Sequence, residues 1–109
     1  MTTSVVRGNV RAMFVVSVTY DPANISGTAT TTEQDITVTG VKVGDMAFVS
    51  KPSHNAGVTI GNVRVKAADT VSIQWVNPTA GAVNPGSEAY SILVVRPEYA
   101  TLGSIVPPL

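Results

Sequence analysis

From Val10 to Tyr20 the chain alternates with period two. Val10, Ala12, Phe14, Val16, Val18 and Tyr20 fall on one side, and Arg11, Met13, Val15, Ser17 and Thr19 on the other. Residues two apart share a face only when the backbone is extended, so this stretch is a long β-strand with one apolar and one mixed face. Asp21, Pro22 and Asn24 end it, because Pro lacks a ladder donor and Asp and Asn favour turns. No later stretch carries a convincing period of 3.6, and abundant Val and Thr disfavour helix. The expectation is an all-β chain.

The same signal returns at short intervals. A Gly-, Ala- and Thr-rich connection over residues 27–32 leads to a short run, Asp35, Ile36, Thr37, Val38 and Thr39, closed by Gly40. Residues 42–45 read as a tight turn into Met46, Ala47, Phe48, Val49 and Ser50, and residues 51–57 are a longer turn-rich break. Beyond it Val58 and Ile60 are even whereas Val63 and Val65 are odd, so the apolar face changes parity at Gly61 and Asn62. A β-bulge there, or two separate short strands, accounts for the change. Ala67, Ala68 and Asp69 turn the chain into Val71, Ile73 and Trp75, and residues 77–87 are loop. The last strand, Ala89 to Arg96, is almost continuously apolar, which suits a strand covered on both faces.

Six strands with frequent turns predict an antiparallel β-sandwich (jelly-roll or Ig-like) or a small barrel. The core domain is expected over residues 10–97. Residues 1–9 form an N-terminal arm and residues 98–109 a C-terminal arm, the latter carrying Tyr99, Leu102, Ile105, Val106 and Leu109 around two prolines. That tail is too irregular for a strand and too apolar to be at ease in water. Either it packs back on its own sandwich or it lies on a neighbour; in the second case its five large apolar residues are the first candidates for contact with a partner, and the N-terminal arm is second.

Composition narrows the function. Only 13% of the residues are charged, against about 25% in typical soluble domains, and seven basic side chains balance seven acidic ones. A neutral surface has little long-range pull on phosphate, which argues against nucleic acid, and little self-repulsion, which permits packing against copies or a large partner. The chain has no Cys, so neither disulfides nor thiolate metal sites are available. Arg7 and Arg11 before residues 12–16 have the outline of a signal peptide. Ser17, Thr19 and Asp21 interrupt it, however, and no small-residue cleavage site follows. Synthesis in the cytoplasm without a signal peptide is expected, and no apolar run approaches the roughly 20 residues of a membrane span. The acceptor-like triplet Asn24-Ile25-Ser26 is then a chance match.

Catalytic signatures are sparse. The single histidine, His54, lies near Ser53 and Asp45 in sequence, yet no nucleophile elbow accompanies it, and a solvated loop histidine is the simpler reading. One His without Cys makes no zinc site, and no calcium loop is present, so no metal or cofactor is expected. Glu33 and Asp35 are two apart and share a face; Asp45 and Asp69 stand at turn entries, where their carboxylates can accept from backbone amides. Glu88 and Arg96 bracket the last strand and can pair with groups on other strands. Trp75 shares the parity of Val71 and Ile73, which places it in the core rather than on a sugar-stacking platform. No enzymatic function is expected.

Three runs together form a more specific pattern. They are GVKVGDMAFVSKP at residues 40–52, AGVTIGNVRVKAADTVSIQWVN at 56–77 and TAGAVNPGSEAYSILVVRP at 79–97. Over residues 33–97 the chain resembles the head decoration, or cement, proteins of tailed bacteriophages. The resemblance implies a structural virion protein on the outer capsid surface, present in many copies, often as homotrimers, with the major capsid protein as partner and no catalytic residues. Residues before Glu33 and after Pro97 take no part in it. The main alternative is a carbohydrate- or host-surface-binding module of a phage fibre or tail, which would need exposed aromatics among Tyr20, Trp75, Tyr90 and Tyr99.

Overall fold

The computed structural model describes residues 10–97; the two arms, with Tyr99, Leu102, Ile105, Val106 and Leu109, lie outside the described residues. The described chain is all-β: β1 (Val10–Tyr20), β2 (Ala29–Thr37), β3 (Met46–Ser50), β4 (Thr59–Ala67), β5 (Thr70–Asn77) and β6 (Glu88–Pro97). They form two antiparallel three-stranded sheets, one in the order β1-β6-β3 and one in the order β2-β5-β4, packed as a small sandwich.

The core lies between the central strands of the two sheets. Val71, Ile73 and Trp75 of β5 and Tyr90, Ile92 and Val94 of β6 are all buried, joined by Ile36, Ala47 and Val65 from the flanking strands. Burying a large aliphatic side chain contributes about 1.5–3 kcal/mol, so this shared layer is the main source of stability. Trp75 is 1% exposed, as its parity requires. Tyr90 packs edge-on against Tyr20 with ring centroids 5.5 Å apart, and burial pushes both phenols up to about 12, so both stay neutral near pH 7. The Trp75 indole nitrogen and the Tyr90 hydroxyl are buried without a hydrogen-bond partner among the described residues.

The register bears out the bulge in β4. Ile60 opposes Trp75 and Val63 opposes Ile73, so Gly61 and Asn62 together face the single residue Gln74. The bulge returns Val63 and Val65 to the inner face. Two expectations need correction. The second strand starts at Ala29, inside the stretch read as a connection, and ends at Thr37 rather than Thr39. It pairs with β5 from Ala29 to Thr37, so its early half is held by the backbone ladder rather than by an apolar stripe. The last strand is not covered on both faces by described residues: Tyr90, Ile92 and Val94 are buried, whereas Ala89 and Ser91 are exposed and Leu93 and Val95 are half-buried.

Side chains and backbone fasten the open connections. Asp69 adopts a left-handed conformation (φ 60°) in the two-residue turn between β4 and β5, which Asp tolerates. Its carboxylate accepts from the Gly40 amide at 2.8 Å, and its backbone pairs with Val38 and Val41, pinning the turn after β2 to this hairpin. Ile25 and Val83 form a reciprocal backbone bridge, and Gly27 lies so close to the Ala80 carbonyl that a Cβ there would sit 2.3 Å from its oxygen. Asn77, fully buried, holds this junction. Its Nδ2 donates to the Ile25 carbonyl at 3.0 Å and the Gly81 carbonyl at 2.9 Å, while its Oδ1 accepts from the Thr79 amide and hydroxyl.

Removing the Asn77 amide would delete four hydrogen bonds at a fully buried position, each worth about 0.5–1.5 kcal/mol net. Asn77→Ala is therefore expected to destabilise the domain by about 3 kcal/mol in urea denaturation, with an unchanged m-value.

Candidate docking surface

The two outer faces of the sandwich are chemically opposite. On the β2-β5-β4 sheet, charged side chains cross over the central strand. Arg64 of β4 grips Glu33 of β2 through two hydrogen bonds, Nε to Oε2 at 2.7 Å and Nη2 to Oε1 at 2.9 Å. Lys66 pairs with Asp35 at 3.1 Å, and Ser72 of β5, buried beneath, donates its hydroxyl to the same carboxylate. The Arg64 hydrogen bonds hold Glu33 below the ordinary carboxylate range, and the Ser72 hydroxyl, then Lys66, do the same for Asp35. This face is polar and internally satisfied.

The β1-β6-β3 sheet presents the reverse. Met13, Val95 and Met46 lie in register across its three strands, and so do Val15, Leu93 and Phe48 in the next outward row. Met13 is 58% exposed, Val15 68% and Phe48 53%. The row beyond is Ser17, Ser91 and Ser50. Six apolar side chains thus form one flat patch with a hydroxyl border and no charge within it. Scattered exposed hydrophobics are ordinary; a contiguous patch of this kind marks a surface meant to be covered. Val43, 71% exposed, adds to the apolar surface in the turn before β3.

That turn is firmly set. Arg96 of β6 binds both Asp45 oxygens, at 2.9 and 2.8 Å, and donates to the Gly40 carbonyl at 2.8 Å. Asp45 also accepts from the Lys42 amide, as expected at a turn entry, and the Arg96 hydrogen bonds hold its carboxyl below the usual range. Glu88, at the other end of β6, pairs with Lys51 and accepts from the Ser53 hydroxyl. Lys51 in turn donates to Asn55 and to the Ser53 carbonyl, which shapes the loop after β3. Both bracketing residues of the last strand therefore find partners on other segments. The flat patch is held rigid at either end.

The loop also borders a cleft of about 270 Å³, lined by Lys51, Ser53, His54, Asn55, Val58, Thr59, Ile60 and Trp75. His54 is exposed there with no carboxylate in the lining, and no group of three or more metal-ligating side chains occurs among the described residues. Ser53 and Asp45 are engaged elsewhere, Ser53 with Glu88 and Asp45 with Arg96, so the sequence neighbours of His54 do not assemble around it. Trp75 and Tyr90 are core and Tyr20 is half-buried, so these three build no aromatic platform. Sequence reading missed the flat patch, although its signal was present in the outward parity of Met13, Val15, Met46 and Phe48.

Compared with protein-family models, with curated proteins and with solved structures, the chain finds no match in any of the three.

Two outcomes are expected from the contrast between the faces. Phe48→Ser should leave stability within about 0.5 kcal/mol of the parent, because the ring is outside the core. It should also shorten retention on a hydrophobic-interaction column. The ion pairs set a pH dependence. Glu33, Asp35, Asp45 and Glu88 all have folded pKa values below their unfolded ones. Their stabilisation is complete above the unfolded carboxylate value of about 4 and is lost as pH falls through the lower folded values. Thermal melting should show a plateau from about pH 7 to 5 and a falling midpoint below about pH 4. Asp45→Asn should flatten that fall while lowering the plateau.

Proposed function

We propose that this chain is a structural module that docks by its flat β1-β6-β3 face onto a large protein shell, in the manner of a bacteriophage head decoration protein on the outer capsid surface. The observation that carries the reading is the asymmetry of the sandwich: one outer face bridged by ion pairs, the other bare and apolar. A flat, uncharged face suits a broad protein surface better than a small polar ligand. The formal net charge of zero removes long-range repulsion among many copies held side by side. The sequence resemblance over residues 33–97 points to the same role, with the major capsid protein as partner.

In this mechanism the module contributes binding energy rather than chemistry. Apolar side chains on two in-register rows lose water when they meet the shell, at about 25 cal/mol per Å² buried. Any state of the shell that offers the matching surface is stabilised by mass action, so decoration favours that state over alternatives. Residues 98–109 provide a second contact, with Tyr99, Leu102, Ile105, Val106 and Leu109 as the anchoring side chains.

Co-sedimentation with shells assembled from the capsid protein encoded alongside this chain tests the reading. The parent protein should pellet with the shells to a saturable stoichiometry, and the Met46→Lys/Phe48→Lys double variant should remain in the supernatant while keeping its circular dichroism. A chain ending at Pro97 should bind more weakly. Equal pelleting of the parent and the double variant, or none by the parent, would remove the basis for this function.

A further inference from the structure

Sheet edges expose unpaired amides and carbonyls, and folded proteins blunt them with charges, prolines, bulges, short strands or covering segments. Three of the four edges here are blunted. β3 has five residues, runs into Lys51 and Pro52, and lies against β4, closing that side of the sandwich. β4 carries the Gly61–Asn62 bulge together with Arg64 and Lys66. β2 has an irregular register between Ala29 and Thr32 and carries Glu33 and Asp35.

β1 carries such devices only at its start, where Arg11 falls in a register irregularity between Val10 and Ala12. It runs eleven residues, without Pro or Gly and with Arg11 as its one charge, and its register with β6 is unbroken from Ala12 to Tyr20. Its other edge pairs with no described strand. Its inner side is unfinished as well. Phe14, Val16 and Val18 are only partly buried, while their register partners Val94, Ile92 and Tyr90 are completely buried. On the outer side Met13 and Val15 are exposed. Among the described residues, β1 is therefore only half-covered on its apolar inner side, exposes Met13 and Val15 on its outer side, and leaves its edge unpaired.

We propose that β1 is a self-association strand: two copies of this chain join edge to edge, antiparallel about a two-fold axis at Val15, into one continuous six-stranded sheet. The sequence of β1 is compatible with its own reverse. The axis sets Phe14 opposite Val16 and Ala12 opposite Val18 on the inner face, and Met13 opposite Ser17 on the outer face. Arg11 meets Thr19, and the two Arg11 side chains lie about 27 Å apart along the ladder, well beyond the roughly 10 Å range of screened charge. No like charges oppose the pairing. An eleven-residue ladder is about 36 Å long and, with the half-covered inner side chains of both copies, buries on the order of 1,000 Å². That is the lower end of specific interfaces, so the pair is expected to be reversible and concentration-dependent. The resemblance to decoration proteins implies a trimer; the β1 edge makes a pair instead. The pairing does not depend on the shell-docking reading, since it uses the edge of the sheet rather than its flat face.

The absence of Cys allows a direct test on the full chain. Sedimentation velocity should show a monomer–dimer equilibrium. Under mild oxidation Val15→Cys should give a cross-linked dimer, because residues opposed across a two-fold in a ladder have Cα atoms about 4.5–5.5 Å apart, within disulfide range. Phe48→Cys, on the opposite edge strand, should not cross-link. Val18→Lys, an inward charge on the edge, should weaken the pair roughly tenfold or more with Trp75 emission unchanged. Four results would overturn the proposal: a monomer at all concentrations, a trimer without a Val15→Cys cross-link, efficient cross-linking through Phe48→Cys, or a monomer whose β1 amides resist hydrogen exchange. The last would mean that residues 98–109 of the same chain cover the edge. Loss of shell binding with the β1 pair intact would count against docking alone.

Discussion

Everything in this sandwich hangs on the contact between two strands that are not hydrogen-bonded to each other. β5 and β6 are the central strands of their respective sheets, and their inward residues fill one dry layer. Each flanking strand is then positioned by a ladder to one of these two. Trp75 and Tyr90 are the largest members of the layer, and β-branched residues occupy most of the space around them. Stiff side chains of that kind lose little rotamer freedom on burial, which helps a core this small to stay well defined.

Because stability resides between the sheets, the outer faces are free to differ. One is sealed by carboxylate–cation pairs that bridge β2 to β4 across β5. These exposed pairs add little energy individually but keep that face wet and unattractive to apolar surfaces. The other face exposes Met13, Val15, Met46 and Phe48, all outside the core. Apolar groups there do not strengthen the core, and they are the groups that the proposed docking would cover. The fixed turn around Asp45 and Arg96 and the Lys51–Glu88 pair hold the ends of that sheet, which would limit the ordering cost of the proposed docking.

Much of the fold was legible in the sequence because most of its strands alternate cleanly. The long first strand, the bulge at Gly61 and Asn62, the burial of Trp75 and the amide-capping roles of Asp45 and Asp69 all follow from local chemistry that the tertiary structure did not override. The early part of β2 was not legible. Ala29 to Gln34 has no apolar alternation, and it is a strand because β5 offers it a ladder. One of its polar members has a structural use: Gln34 makes a two-way amide pair with Ala23 and accepts from the Tyr20 hydroxyl at 2.8 Å, tying the exit of β1 to the other sheet. The flat face was hidden for a different reason. Parity shows which residues share a side, but not whether that side is covered, and the apolar run of β6 looked like a strand enclosed twice. The C-terminal residues expected to contact a partner fall outside the described residues.

The register of the first and last strands has a topological consequence. Val10 opposes Pro97, so the domain's two described limits lie side by side at one corner of one sheet. The sandwich is therefore nearly a closed loop of chain. A linker of a few residues could join those two positions, and new ends could be opened in a surface turn such as the one around Asn84 and Gly86. Such a circular permutant would keep every ladder of the sandwich, and arms re-attached at the new ends would leave from another part of its surface.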